Sequence, residues 1–539
     1  MTRTQRWSML AVILGSSIVF LDGTIVNQAL PRIGRELPAT LVGTLEGQTY
    51  VGSGYLATLA ALLILAGALA DYYGRRRVFA IGLAGFGITS VLCGTASTLE
   101  LLVVFRILQG VAGALLIPGS IAIITALFEG PARARAFGIW AAATSATTLI
   151  APFVGGTIVD NVGWRVAFLI NIPLIVPALW ATLTKMPETR DEAASGRFDW
   201  LGAVVAALAV GGISFGTIRG QEQRWHDPVA FAAIGIGLVS LVAFPILMAR
   251  RPNPLVPLSL FRIRRFAIIN LSTLLIYAAL YVNLGFQALL LQNVLGYTAT
   301  ASGAIGLPVG IMLTVFSARV GTIAGRIGAR GFLTVGPLLM AAALLWLARI
   351  PADSAPWRAL INDPASLLPP PSTLVDVLPS MLLFGAGITL VVAPLTSTLM
   401  SAVPVRNAGI ASAINNAISR VGQPIVAALV FIVLSGTFYA TLAAATGMDV
   451  SDPSLRAAVQ PLNPPAQTVS PELRAAARIA STQAFHLAAL VSAGLLVAGA
   501  IVNYIGLGGD RANQSTSAQP DEPDRAASSA ASSAGSSPD

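Results

Sequence analysis

The stretch Ser8 to Leu30, SMLAVILGSSIVFLDGTIVNQAL, decides how the rest of the chain reads. It is a run of apolar and small residues broken by one ionisable side chain, Asp22. A helix of roughly 20 residues rises about 30 Å, the thickness of the hydrocarbon layer of a bilayer. No water is available there, so each backbone N–H and C=O must find its partner within the segment, and a run of this length is a helix. Arg3 and Arg6 ahead of it imitate an export signal, but the run continues to Pro31 with no small-residue cleavage site. It reads as a first transmembrane helix.

The remainder repeats this pattern. Of 539 residues, 55% are hydrophobic and 11% charged, whereas a soluble domain carries roughly 25% charge. Apolar blocks predict helices at 8–30, 47–70, 78–98, 101–127, 134–159, 164–184, 199–219, 228–249, 266–292, 302–326, 331–350, 374–400, 406–437 and 480–506. The expected fold is therefore an all-α membrane protein of about 14 transmembrane helices. The formal charge of +9 is spread over short loops and forms no single stripe, which speaks against a nucleic-acid partner. Assigning alternate loops to the two sides puts Arg3, Arg6, Arg75, Arg76, Arg77, Arg133, Arg135, Lys185, Arg190, Arg197, Arg250, Arg251, Arg262, Arg264, Arg265, Arg326, Arg330, Arg406 and Arg511 on one face. By the positive-inside bias that face is cytoplasmic, with both termini on it.

Two longer loops, 351–373 and 438–478, fall outside on this topology and are rich in proline. The tail 507–539, rich in Ser, Ala, Asp and Pro, is expected to be disordered and cytoplasmic. An internal echo joins the two halves. GALADYYGRR, Gly67 to Arg76, and GTIAGRIGAR, Gly321 to Arg330, share glycine at the first and eighth places and arginine at the tenth. Such matched signals fit a duplication about an axis along the membrane normal.

At this point the chain resembles the major facilitator superfamily, and within it the fourteen-helix drug:proton antiporter group. The resemblance covers about residues 8–506. It rests on LDGTIVNQALP (Leu21 to Pro31), GALADYYGRRR (Gly67 to Arg77), RILQGVAG (Arg106 to Gly113), WRVAFLINIP (Trp164 to Pro173) and FDWLGA (Phe198 to Ala203), in the family's order. The fifth-helix antiporter motif is degenerate: in TLIAPFVGG (Thr148 to Gly156), Pro152, Gly155 and Gly156 remain, but Ala151 and the preceding Thr147 stand where glycines are expected. The resemblance implies the major facilitator fold, two six-helix bundles around a central cavity with two extra transmembrane helices between them. The corresponding divisions are an N-terminal bundle over 1–184, a linker with the extra pair over 185–265 and a C-terminal bundle over 266–506. It also implies proton-coupled export of hydrophobic or amphipathic small molecules by alternating access, in the cell membrane, by a monomer. Export of a specific lipid, sugar or metabolite is the alternative, and a channel or receptor reusing the fold a more distant one.

The candidate residues also follow from physical cost. An acid inside a membrane helix is expensive, so Asp22 is a functional candidate by default, and no charge on its own helix can neutralise it. Arg106 enters the membrane to a similar depth, near Gly110 and Gly113 that permit close helix approach. The pair is the candidate for proton coupling, with the proton gradient as the energy source and no cofactor. Gly67, Asp71, Gly74, Arg75 and Arg76 form a candidate conformational latch at a helix junction. Pro152, Gly155 and Gly156 are expected to bend the fifth helix as a gate. Tyr277, Tyr281, Asn283 and Gln287 at helical spacing, with Asn416 and the deep Arg420, are the candidate substrate cavity.

Other classes fit poorly. Lys185 is the sole lysine and lacks the upstream glycines of a phosphate-cradling G-x-x-x-x-G-K-[ST] loop, which excludes that type of ATP-driven pump. His226 and His486 lie far apart, Cys93 has no cysteine partner, and no acid cluster suits a metal or an enzyme.

Overall fold

A computed structural model of the chain describes residues 1–190, 199–403 and 408–508. The tail expected to be disordered therefore lies almost wholly outside the described residues, as do Phe198 and the basic residues Arg197, Arg406 and Arg511. Among the described residues the only regular structure is helical, and fourteen long helices dominate it. We label them α1 (Arg3–Glu36), α2 (Thr44–Tyr73), α3 (Arg75–Thr95), α4 (Leu99–Leu127), α5 (Gly130–Asn161), α6 (Trp164–Lys185), α7 (Trp200–Glu222) and α8 (Pro228–Arg250). They continue with α9 (Arg264–Val294), α10 (Ala299–Ile327), α11 (Arg330–Leu347), α12 (Leu378–Ser401), α13 (Ala408–Thr446) and α14 (Pro471–Gly506). Thirteen are long and apolar enough to cross a bilayer; α5 is of like length and packs along α1. Fourteen crossings return the chain to the side where it began, here called the terminal end.

Several helices overrun the apolar blocks because polar ends continue the hydrogen-bonded ladder beyond the oil. A capping box of Thr2 and Gln5 starts α1, and Ser470 accepts from Leu473 N–H to start α14. As a result the loop between α13 and α14 shrinks to 447–470. In α6 the ladder breaks at Ile170, because Pro173 has no N–H for the carbonyl four residues earlier.

The packing pattern is duplicated. In the first half α2 packs on α4, α1 on α5, α3 on α4 and on α6, and α1 on α6. In the second half α10 packs on α12, α9 on α13, α11 on α12 and on α14, and α9 on α14. The repeated sequence signal falls at equivalent joints: Gly74 ends α2 at φ 107° and Gly328 ends α10 at φ 95°, a backbone region that side chains with a Cβ avoid. The halves meet along a seam where α1 faces α9, α2 faces α13 and α5 faces α10. The extra pair forms a tight hairpin in which Gly212, Gly216 and Gly237 bring the backbones together. Its α7 lies on both α2 and α13, so it covers that side of the seam.

The two ends of the seam differ. At the far end, the first half and the second share one buried apolar cluster containing Ile25, Ala29, Leu30, Val282, Phe286 and Leu289. At the terminal end, the first half has its own cluster around Val12, Phe79, Leu116 and Ile124, reached from the second half by Ala413.

Candidate functional site

Asp22 lies midway along α1 with its side chain wholly enclosed. Arg106 on α4 donates from Nη1 to Asp22 Oδ2 at 2.5 Å. The same guanidinium donates to Gln109 Oε1 at 2.7 Å and, from Nε, to the Val51 carbonyl of α2 at 3.2 Å. Its planar face lies 4.1 Å from the centre of the Tyr55 ring. The other carboxylate oxygen, Asp22 Oδ1, accepts from Gln109 Nε2 at 3.3 Å and from Asn171 Nδ2 at 3.2 Å. Both amides also reach Ser90 Oγ on α3. The break in α6 sets Asn171 at the start of the second piece of that helix, with its side chain turned to Asp22.

A charge pair sealed from water is held only when its remaining donors and acceptors are met. Here Gln109, Asn171 and the Val51 carbonyl meet most of them, with Ser90 Oγ behind the two amides, and Asn171 Oδ1 and the Tyr55 hydroxyl are left without a hydrogen-bond partner. A group so enclosed neutralises more readily than it stays charged without a partner. Arg106, Gln109 and Asn171 thus converge on one acceptor, which ties α1 to α4 and α6.

The other predicted residues fall in separate places. Asp71 pairs with Arg75 at 2.8 Å, one turn along the same motif. Glu188, after α6, accepts from Arg76 N–H at 3.0 Å, and Arg75 N–H donates to the Thr189 carbonyl at 2.8 Å. The motif is thus tied to the segment leading to the extra helices. Gly67 packs near Pro118 of the same half.

Pro152, Gly155 and Gly156 sit where α5 is squeezed between α1 and α10. A β-carbon on Gly155 would stand 2.9 Å from Ile25 Cγ1, one on Gly156 would collide with the Ala299 carbonyl, and one on Gly303 with the Pro152 carbonyl. Beside them Asp160 accepts from Ala299 N–H at 3.1 Å and from Thr300 N–H at 2.7 Å, capping the start of α10 across the seam.

On α9, Tyr281 lines a cavity between the halves together with Asn27, Gln48, Thr49, Gln423 and the apolar Leu30, Phe286 and Leu289. Tyr277 lies one turn away, its ring centre 6.2 Å from that of Tyr281. Asn283 and Gln287 instead bond each other at 3.1 Å, and Gln287 reaches Met381 of α12, so they hold the second half together internally. Arg420 on α13 donates to the Asn416 carbonyl at 3.1 Å.

Sequence reasoning missed the residues that complete these sites. Gln109 and Asn171 stand inside quoted motifs, and a polar side chain one turn from Arg106 was a usable signal. At the far end, Gln48 and Asn463 exchange amide hydrogen bonds at 3.1 and 3.2 Å. Asn463 also accepts from Asn293 of α9, so the 447–470 loop stitches the two halves. Glu46, buried at the start of α2, accepts from Tyr50 Oη at 3.1 Å with Arg219 of α7 at 4.0 Å. Among the described residues no group of three or more His, Cys, Asp or Glu is placed to hold a metal.

Two duplicated six-helix halves, a seam closed at one end and a buried charge pair inside one half define a membrane transporter of the alternating-access class. The chain belongs to the Major Facilitator Superfamily, whose sequence model matches residues 12–427. It is 34% identical to the multidrug resistance protein Stp of Mycobacterium tuberculosis, over 85% of this chain and 81% of that protein. It is 32% identical to the tetracenomycin C resistance and export protein of Streptomyces glaucescens, over 78% of this chain and 74% of that one. Among solved structures it is similar to a bacterial homolog of the human lysosomal transporter Spinster in an inward-facing, unoccupied conformation. That match has a TM-score of 0.63 at 16% identity and covers 94% of this chain and 97% of the other.

Proposed function

We propose that this protein exports small organic molecules across the cell membrane by alternating access, driven by protons moving inward, and that its termini lie in the cytoplasm. The observation that carries the coupling is the sealed Asp22–Arg106 pair and its shared partners Gln109 and Asn171. A carboxylate held this way has two stable arrangements, ionised against Arg106 or protonated with Arg106 released. Each favours a different packing of α1 on α4 and α6. The similarity to a multidrug resistance protein and to a tetracenomycin C resistance and export protein supports a drug-like cargo.

With the termini inside, the end where the halves share one apolar cluster faces out, and the end where the first half keeps its own cluster, touched from the second half by Ala413, faces in; cargo enters from the cytoplasm. A single chain carries both halves of the seam and acts as a monomer. The test uses the purified protein in vesicles loaded with a fluorescent dye. Dye movement against its gradient when a pH gradient is imposed, lost when a protonophore is added, is the expected result. Flux that ignores the pH gradient would leave the coupling without support.

A further inference from the structure

Arg420 is buried, 6% exposed, about 18 Å along α13 from its start and so near mid-membrane. Among the described residues no carboxylate pairs with it; its hydrogen bonds go to the carbonyl and the side chain of Asn416 on its own helix, at 3.1 and 3.3 Å. The other arginine buried at this depth, Arg106, is neutralised by Asp22. Of the two arginines buried among the described residues, Arg420 is therefore the one without an acid. A buried ionised group left without a counter-charge is strongly unfavourable unless something else supplies one.

The surroundings indicate what supplies it. One turn outward on α13, Gln423 lines the cavity between the halves and is 8% exposed, and its Oε1 has no hydrogen-bond partner. The phenols of Tyr277 on α9 and Tyr55 on α2 lie within electrostatic range of the guanidinium. Tyr281 lines the same cavity. The cation thus lies in electrostatic range of phenols from both halves, one turn from an unmet acceptor on the cavity wall.

We infer that Arg420 is the anchor for an organic anion: the exported compound carries a carboxylate, sulfonate or ionised phenol that the guanidinium receives, its apolar body lying against Tyr277 and Tyr281 and a donor group on Gln423. This rests on the reading of the chain as an exporter, but the anion site is tested by binding alone. Arginine suits the task because its fork of N–H donors matches a planar oxyanion. Exporting such a cargo moves negative charge outward, the direction that an interior-negative potential favours.

The experiment measures binding of carboxyfluorescein and of ethidium, aromatic dyes of opposite charge, to the purified full-length protein by fluorescence anisotropy. The wild type is expected to prefer carboxyfluorescein. Arg420→Gln is expected to weaken carboxyfluorescein about tenfold or more and leave ethidium unchanged or tighter, and Arg420→Lys to keep most of the affinity. A wild type that prefers ethidium overturns the proposal. So does an Arg420→Gln protein that melts at lower temperature yet keeps the same ratio between the dyes, since that marks a packing role. Should Arg420→Gln fail to fold, competition on the wild type decides: benzoate displacing carboxyfluorescein where benzylamine does not supports the site, and the reverse overturns it. Arg420-dependent binding in a protein that moves neither dye in vesicles would sink the export reading and leave the anion site standing.

Discussion

Arg106 Nη1 lies 2.5 Å from Asp22 Oδ2, although the residues are 84 positions apart and on different helices. Neither is tolerable alone at that depth. Removing one charge of a buried pair leaves the other unmet, which costs about 3–5 kcal/mol in soluble proteins. Asp22→Asn keeps the shape and Gln109 and Asn171 as neighbours but leaves Arg106 without its anion. The expected outcome is a protein that still inserts and purifies, with dye export no longer responding to an imposed pH gradient. Arg106→Lys, which keeps the charge and loses the fork, is expected to retain partial coupling. Gradient-linked flux at the wild-type rate in Asp22→Asn would remove this pair from the mechanism.

Gly156 and Gly303 let α5 and α10 touch backbone to backbone at the far end. A side chain there has nowhere to go, because the obstacles are carbonyl groups of helices and not flexible side chains. Overpacking of about 1–3 kcal/mol translates into a shift of roughly 5- to 150-fold between two states. Gly156→Val is expected to disfavour the closed far end, populate the conformation open on that side and reduce export. Distances between spin labels on the far ends of α5 and α10 measure it, and unchanged distances would refute it.

Gln48 and Asn463 exchange hydrogen bonds across the seam, which must part if the far end opens. Cys93 is the sole native cysteine and is buried, so an introduced pair reports cleanly. Gln48→Cys with Asn463→Cys is expected to abolish export on oxidation and recover it on reduction, while dye binding from the opposite side persists. Continued export by the oxidised pair would show that this end does not move.

Asp71 and Arg75 form a partly buried pair across the joint between α2 and α3, worth on the order of 1 kcal/mol or less to the fold. Asp71→Ala is therefore expected to leave the melting temperature nearly unchanged. If the motif latches the terminal end when the halves rock together, the same variant shifts the population toward the state described here. A variant with wild-type conformational distances and wild-type flux would leave the motif as a solvated basic loop.

The Asp22–Arg106 meeting was legible because charge in oil is costly, and because Gly110 and Gly113 advertise a helix that approaches closely. The repeated loop motif was legible in its glycines: Gly74 and Gly328 both adopt left-handed backbone at equivalent joints. Other assignments depended on which way a helix face turns. Tyr281 and Asn283 are two residues apart on one helix, yet Tyr281 lines the cavity and Asn283 is turned onto Gln287 and α12. A stripe at helical spacing says that residues share a face, not what the face meets.

The sequence by itself determined the number of crossings, the helical class, the duplication and the presence of costly charges. All of these follow from bilayer thickness and from the need to satisfy backbone groups locally. Only the tertiary structure decided partners: Gln109, Ser90 and Asn171 around Asp22, the 447–470 loop between the halves, α7 over one side of the seam, and Arg420 left without an acid. Those outcomes depend on which faces of distant helices come together, and contacts between residues hundreds of positions apart leave no periodic trace in a single chain.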